Sequence, residues 1–155
     1  MDDLTRAKKY ALYLLTDMDR SEHQLREKLK KKEYSEEIVE ETIRYVKSFG
    51  YIDDKRYIRR FTEVSLEGKS LRRIKYDLIR KGLDRDLIDE TIQEIGDIDQ
   101  RSLIRTLAEK KYRSLKHEDP NRYRKTAQFL AGKGFSSEDI FQVLDHLKEI
   151  SSDED

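Results

Sequence analysis

Three histidines, His23, His117 and His146, could in principle ligate a metal or carry a proton, but they stand far apart in the chain with no ligand-like spacing. The adjacent carboxylates Asp53 and Asp54 could hold a metal or act as a base. Their place at a predicted helix start instead favours capping and compensation of the helix dipole. Lys133 sits between Gly132 and Gly134, yet neither a strand nor phosphate-loop spacing surrounds it. The chain has no cysteine, which removes disulfides and thiolate chemistry. No nucleophile stands beside a base. The residues therefore predict no catalytic centre, no metal and no cofactor, and an enzyme is not expected.

The remaining chemistry is charge. The 33 Lys and Arg balance 33 Asp and Glu, so the formal net charge is zero, but the two signs are segregated. Residues 20–32 carry +4, 68–85 carry +5 and 101–125 carry +6. Between and after them, 33–46 carry −4, 86–99 carry −6 and 137–155 carry −6. One reading is mutual neutralisation between neighbouring helices, with ordinary solvated faces. The other is a row of cations offered to a polyanion. If Leu71, Ile74 and Leu78 point inward, helical geometry turns Arg72, Arg73, Tyr76 and Arg80 outward. Matching positions hold Lys30 and Lys31 earlier in the chain, and Arg124 and Lys125 later. Tyr76 among these cations could stack on a base. These eight residues are the candidate contact set.

The elements that must position them repeat. Leu25, Leu29, Tyr34, Ile38 and Ile43 recur 49 residues on as Ile74, Leu78, Leu83, Leu87 and Ile92. Leu78, Lys81, Gly82, Leu83, Asp84, Ile88 and Ile92 recur 52 residues on as Leu130, Lys133, Gly134, Phe135, Ser136, Ile140 and Leu144. A period of this size marks stacked helical units. With one proline, six glycines and 43% charged residues, helix is expected almost throughout. Each unit reads as three helices. Ser21 with Gln24 forms a capping-box pattern, Ser35, Asp53, Asp84 and Ser136 are further N-cap candidates, and a helix is expected from Ser70 to Lys81. Asp119-Pro120 reads as another helix start. Tyr57, Ile58, Phe61 and Val64 are expected on one apolar face.

The corner between second and third helices aligns as Glu33-Tyr34-Ser35, Gly82-Leu83-Asp84 and Gly134-Phe135-Ser136. Glycine, an apolar residue and an N-cap make a sound corner, and Glu33 breaks the pattern. A left-handed backbone at Glu33 would cost about 1 kcal/mol; a different turn is the alternative. The expected architecture is all-α: an elongated, curved array of three tandem three-helix, helix-turn-helix-like repeats. They occupy 1–49, 50–97 and 98–150, followed by a disordered acidic tail over 151–155. No apolar run approaches the roughly 20 residues that span a bilayer, and the acidic start, Met1-Asp2-Asp3, has no signal-peptide pattern. A soluble, cytoplasmic monomer without membrane association is expected.

At these motifs the chain resembles the RecX family of regulatory proteins. The resemblance rests on Ser21-Glu22-His23-Gln24-Leu25-Arg26-Glu27-Lys28-Leu29, on Phe49-Gly50-Tyr51-Ile52-Asp53-Asp54-Lys55-Arg56-Tyr57, on Gly68-Lys69-Ser70-Leu71-Arg72-Arg73-Ile74 and on Leu78-Ile79-Arg80-Lys81-Gly82. It covers Ala11 to Ile95 well; Gly134-Phe135 and Ile140 carry it in the third repeat. The resemblance implies a partner, the RecA recombinase filament on single-stranded DNA. It implies binding in the filament groove, with restraint of recombinase, ATPase and coprotease activities in DNA repair and the SOS response. Direct binding of single- or double-stranded DNA is implied as well. The zero net charge makes a protein–DNA filament a better target than naked DNA. Two other functions fit the residues alone: sequence-independent DNA binding, and a helical-repeat scaffold for another protein.

Overall fold

In a computed structural model, the backbone is described for residues 1–153 and side chains for 1–149. The described residues form nine α-helices and no strand. They are α1 (Asp3–Asp17), α2 (Glu22–Lys31), α3 (Glu36–Ser48), α4 (Asp54–Ser65), α5 (Leu71–Arg80), α6 (Arg85–Ile95), α7 (Gln100–Ser114), α8 (Arg122–Gly132) and α9 (Ser137–Asp153). The chain is thus all-α, in three successive sets of three. Of the tail expected to be disordered, Ser151–Asp153 lie in α9, and 154–155 lie outside the described residues.

The helices group into two compact units, Met1–Phe61 with Asp77–Ile95, and Thr62–Tyr76 with Gly96–Asp155. Helices α4 and α5 each contribute to both units. In the first unit α1, α2 and α3 enclose Ala7, Ala11, Leu25, Leu29, Val39, Ile43 and Val46. In the second, α7, α8 and α9 enclose Ile104, Ala108, Leu130, Phe135, Ile140 and Leu144. These are the apolar positions at helical spacing, each helix burying one stripe. The expected face of α4 is corrected in one place: Val64 is 72% exposed, while Ile58 and Thr62 are fully buried. The 3.6-residue period carries the buried face of the helix from Ile58 to Thr62, four residues on, and leaves Val64 off it.

Local caps set the helix starts. Ser21 and Gln24 form a reciprocal capping box on α2, and Ser35, Asp53, Ser70, Asp84, Asp99 and Ser136 each accept an N–H of the first turn that follows. Such caps stabilise by about 1 kcal/mol each. At α8 the helix begins two residues beyond Pro120, and Asp119 accepts the Asn121 N–H at 2.8 Å.

Each junction from one repeat to the next is built on the start of a second helix. The Asp54 carboxylate, at the first position of α4, accepts the Glu22 N–H of α2 at 2.8 Å. One period later Gln100, at the first position of α7, accepts the Leu71 N–H of α5 at 3.0 Å. The corner residue Lys81 offers its carbonyl to the Ser21 hydroxyl at 3.4 Å, and its counterpart Lys133 accepts the Ser70 N–H at 3.0 Å. The following glycines have positive φ, 87° at Gly82 and 94° at Gly134. A β-carbon at Gly82 would collide with His23, and one at Gly134 would stand 2.7 Å from the Arg73 Cβ. Two demands therefore select glycine there: left-handed backbone, and close approach to the preceding repeat.

Glu33 shares the first demand but not the second. Its φ is 64°, so the left-handed alternative holds, and its side chain is exposed. Replacing Glu33 by Gly should therefore raise stability by up to about 1 kcal/mol, whereas Gly82→Ala and Gly134→Ala should each lower it by more than that. Urea denaturation of the three variants checks this. A Gly82→Ala variant as stable as the parent would contradict the close-approach argument.

Candidate functional site

The first unit contains a basic groove of about 310 Å³. It is lined by Arg20, His23, Gln24, Glu27, Lys28 and Lys31 from the start and outer face of α2, and by Arg80 and Lys81 from the end of α5 and its corner. The junction assembles it: Lys81 lies there because its carbonyl faces Ser21, and Gly82 lets the corner close on the His23 ring. Lys28, Lys30 and Lys31 fall in the last turn of α2, where cations are favoured by the helix dipole. Arg20 is held in place by its Nε bond to the Leu14 carbonyl, at 3.4 Å. Five cations and a single carboxylate, Glu27, line the groove. Clustered like charges on low-dielectric walls raise the local positive potential, which attracts anions.

Of the eight residues expected from the sequence, all are exposed. The groove brings Lys31 and Arg80 together. Lys30 stands outside its lining and approaches Glu27 at 3.8 Å. On the part of α5 that belongs to the second unit, the Arg73 guanidinium lies 5.8 Å from the Tyr76 ring, a cation–π contact beside exposed Arg72. On α8, Lys125 is committed to Asp119 at 2.7 Å, and that bond holds the Asp119 carboxyl below its ordinary range. Arg124 lines a different, mainly apolar groove with Tyr123, Ala127 and Phe141. The groove residues not anticipated are Arg20, His23, Gln24, Glu27, Lys28 and Lys81. The signal for Lys81 was present, since it adjoins the repeated glycine corner.

A second cavity of the first unit, about 390 Å³, is charged but self-compensated. Glu22 pairs with Lys47 at 3.0 Å, and Lys55 with Glu94 at 2.8 Å. Burial, reinforced by nearby Glu22, pushes the Asp54 carboxyl up despite its bond to the Glu22 N–H. Arg26 forks onto Glu40 at 2.8 and 3.2 Å, tying α2 to α3. That bond lowers the Glu40 carboxyl below its usual range. Among the described residues no group of three or more His, Asp or Glu could hold a metal ion.

The helical sets match three family models in order: RecX, first three-helix domain over residues 7–45, second over 53–92 and third over 99–144. A regulatory protein RecX of Clostridioides difficile is 35% identical over 145 residues, covering 92% of this chain and 68% of that protein. The chain belongs to the RecX family. A RecX relative from Clostridium beijerinckii is 28% identical over 156 residues, covering 99% of this chain and 73% of its own length. The crystal structure of RecX from Lactobacillus salivarius superposes with a TM-score of 0.78 at 27% identity, covering 95% of this chain and 97% of that one. A second RecX crystal structure gives 0.77 at 26%, covering 94% and 74%. The relatives are named regulatory proteins. No helix among the described residues is long and apolar enough to cross a membrane.

The Asp54 bridge is testable by substitution and pH. Asp54→Ala removes the acceptor for Glu22 and should cost about 1 kcal/mol; Asp54→Asn keeps an acceptor and should cost less. Because the folded carboxyl titrates above its unfolded value of 3.8, its charged form disfavours folding and protonation relieves this. The parent should therefore gain stability relative to Asp54→Asn as pH falls from neutral through that raised value. Parallel denaturation curves between neutral and acid pH measure it; a parent that loses ground would contradict the burial argument.

Proposed function

We propose that this RecX-family chain is a non-enzymatic modulator of the RecA–single-stranded DNA filament. It would bind in the filament groove and restrain recombination, ATP turnover and coprotease activity in DNA repair and the SOS response. The observation that carries this reading is the cationic lining that recurs on second helices: Lys31, Arg80 and Lys81 in the groove of the first unit, and exposed Arg72 and Arg73 in the second. Acidic third helices are partly engaged within the molecule, as Glu40 is by Arg26 and Glu94 by Lys55. A ligand of this kind acts by preferring one filament conformation and shifting the population toward it. The chain would act as a cytoplasmic monomer, with the three repeats bounded at 1–49, 50–97 and 98–150. Arg72, Arg73 and Arg80 lead the proposed contact set, followed by Lys30, Lys31, Tyr76, Arg124 and Lys125.

Direct, sequence-independent DNA binding is the second reading, favoured by the exposed Tyr76 ring beside Arg73. The two separate experimentally. ATP turnover by RecA on single-stranded DNA is measured while the chain is titrated at substoichiometric ratios, beside Arg72→Glu/Arg73→Glu and Lys31→Glu/Arg80→Glu variants of unchanged helicity. The parent should suppress turnover, and each double reversal should weaken suppression at least about fivefold, roughly 1 kcal/mol. Suppression unchanged in both variants would remove these residues from the contact; no suppression by the parent would sink the RecA reading. If bare single strands are the target, affinity should fall with salt, and each double reversal should flatten the log–log slope by ~1.4.

A further inference from the structure

First and third helices carry a matched pair of positions in every repeat, and the three repeats fill them differently. Ala7 and Ala11 of α1, Ile58 and Thr62 of α4, and Ile104 and Ala108 of α7 are all fully buried. That register aligns Lys8, Arg59 and Arg105, with Leu4, Lys55 and Arg101 one turn before them. On the third helices the offsets of 49 and 52 residues align Tyr45, Glu94 and His146. In the first repeat the Lys8 ammonium lies 4.4 Å from the centre of the Tyr45 ring. In the second, the Glu94 carboxylate accepts from Lys55 at 2.8 Å and from Arg59 at 3.4 Å. Its hydrogen bond, with a lesser pull from Glu90, raises the Lys55 ammonium above its ordinary value. In the third repeat the counterparts of Glu90 and Glu94 are Gln142 and His146. Neither side chain is negative in any protonation state.

Arg101, Arg105 and His146 are exposed, and among the described residues neither arginine makes an ion pair. The neighbouring acids do not answer them. Asp99 caps α7 through the Ser102 N–H at 3.1 Å, and Asp145 accepts the Tyr123 hydroxyl at 3.0 Å. Glu149 lies about one turn beyond His146, and Glu109 one turn beyond Arg105, toward Lys110 and Arg113. Over its whole length α7 carries five Lys or Arg and one acid, Glu109. This face keeps the cations of the second repeat and has lost the acids that cover them there.

We propose that Arg101, Arg105 and His146 form a contact for the phosphates of a single-stranded nucleic acid, separate from the cations of the second helices. One exposed ion pair is weak in water, so an isolated small anion does not stay on so open a face. A strand offering a phosphate at every nucleotide engages several cations at once and releases counterions as it does. Both cations of the second repeat, Lys55 and Arg59, have arginine counterparts here, whose planar forks donate paired N–H bonds to phosphate oxygens. The exposed neighbours of Arg101 and Arg105 on α7 are Ser102 and Thr106. They supply none of the large apolar anchors that hold a peptide in register, whereas a phosphate backbone needs none. The contact requires no RecA and does not rest on the filament reading.

The test uses the full chain and a fluorescein-labelled oligothymidylate of about 16 nucleotides, read by fluorescence anisotropy at low salt without RecA. The parent should bind saturably. Gln142→Glu/His146→Glu restores the acids of the second repeat while leaving both arginines in place. It should keep or raise the melting temperature and weaken strand binding at least about fivefold. Arg101→Gln/Arg105→Gln, of unchanged helicity, should weaken binding by a similar factor and flatten the log–log salt slope by ~1.4. No saturable binding by the parent, or unchanged binding by either variant, would overturn the proposal. So would oligoglutamate competing as well as unlabelled oligothymidylate at equal charge, which would make an acidic protein the occupant. Displacement of the strand by inorganic phosphate at equal phosphate concentration would reduce the site to a small-anion site and overturn it too. With RecA absent, this result and that of the turnover titration are independent.

Discussion

The starts of the second helices α2 and α5 are the points on which the architecture turns. A helix leaves its first N–H groups without partners inside the helix. Here the first two repeats fill those positions partly from themselves and partly from the next repeat. For α2 the cap is Ser21 and the added acceptor Asp54; for α5 they are Ser70 and Gln100. The lysine–glycine corner then closes over the cap serine at both junctions. Each bond is modest, about 1 kcal/mol, but together they fix where one repeat ends and the next begins. At α8 the N-cap Asn121 makes no side-chain capping bond.

That constraint also arranges charge. Seating the corner on α2 carries Lys81 and Arg80 to the outer face of α2, where Lys28 and Lys31 already crowd its last turn. The same geometry leaves α3 and α6 with acids that bind inward or sideways, Glu40 to Arg26 and Glu94 to Lys55 and Arg59. Some cations neutralise acids within the molecule, while others gather in a groove with a single carboxylate. The RecX membership gives the gathered cations their context, and the proposed filament target gives them a ligand.

What was legible in the sequence is what local chemistry determines. The N-caps, the apolar stripes and the repeated glycine corner depend on residues within a few positions of one another, so pattern reveals them. The expected contact residues were all correctly placed on exposed faces, because helical spacing alone turns them outward. What could not be read depends on the neighbouring repeat. Glu33 looks anomalous until the glycines of the later corners are seen to answer also to close packing on His23 and Arg73, a demand that exposed Glu33 does not meet. Arg20 and Lys81 join the groove only because a corner 60 residues away lands on Ser21. Lys125 looks as available as Lys31 in sequence, yet Asp119 holds it. Val64 followed the apolar pattern and still points to solvent, because Thr62 takes the buried position on α4.

The most direct measurement is the structure of this chain bound to a RecA–single-stranded DNA filament, by electron cryomicroscopy. The account predicts Lys31, Arg72, Arg73 and Arg80 within about 4 Å of RecA carboxylates or DNA phosphates, the range of an ion pair. A bound chain whose second helices face solvent, with α3 and α6 against the filament, would contradict it.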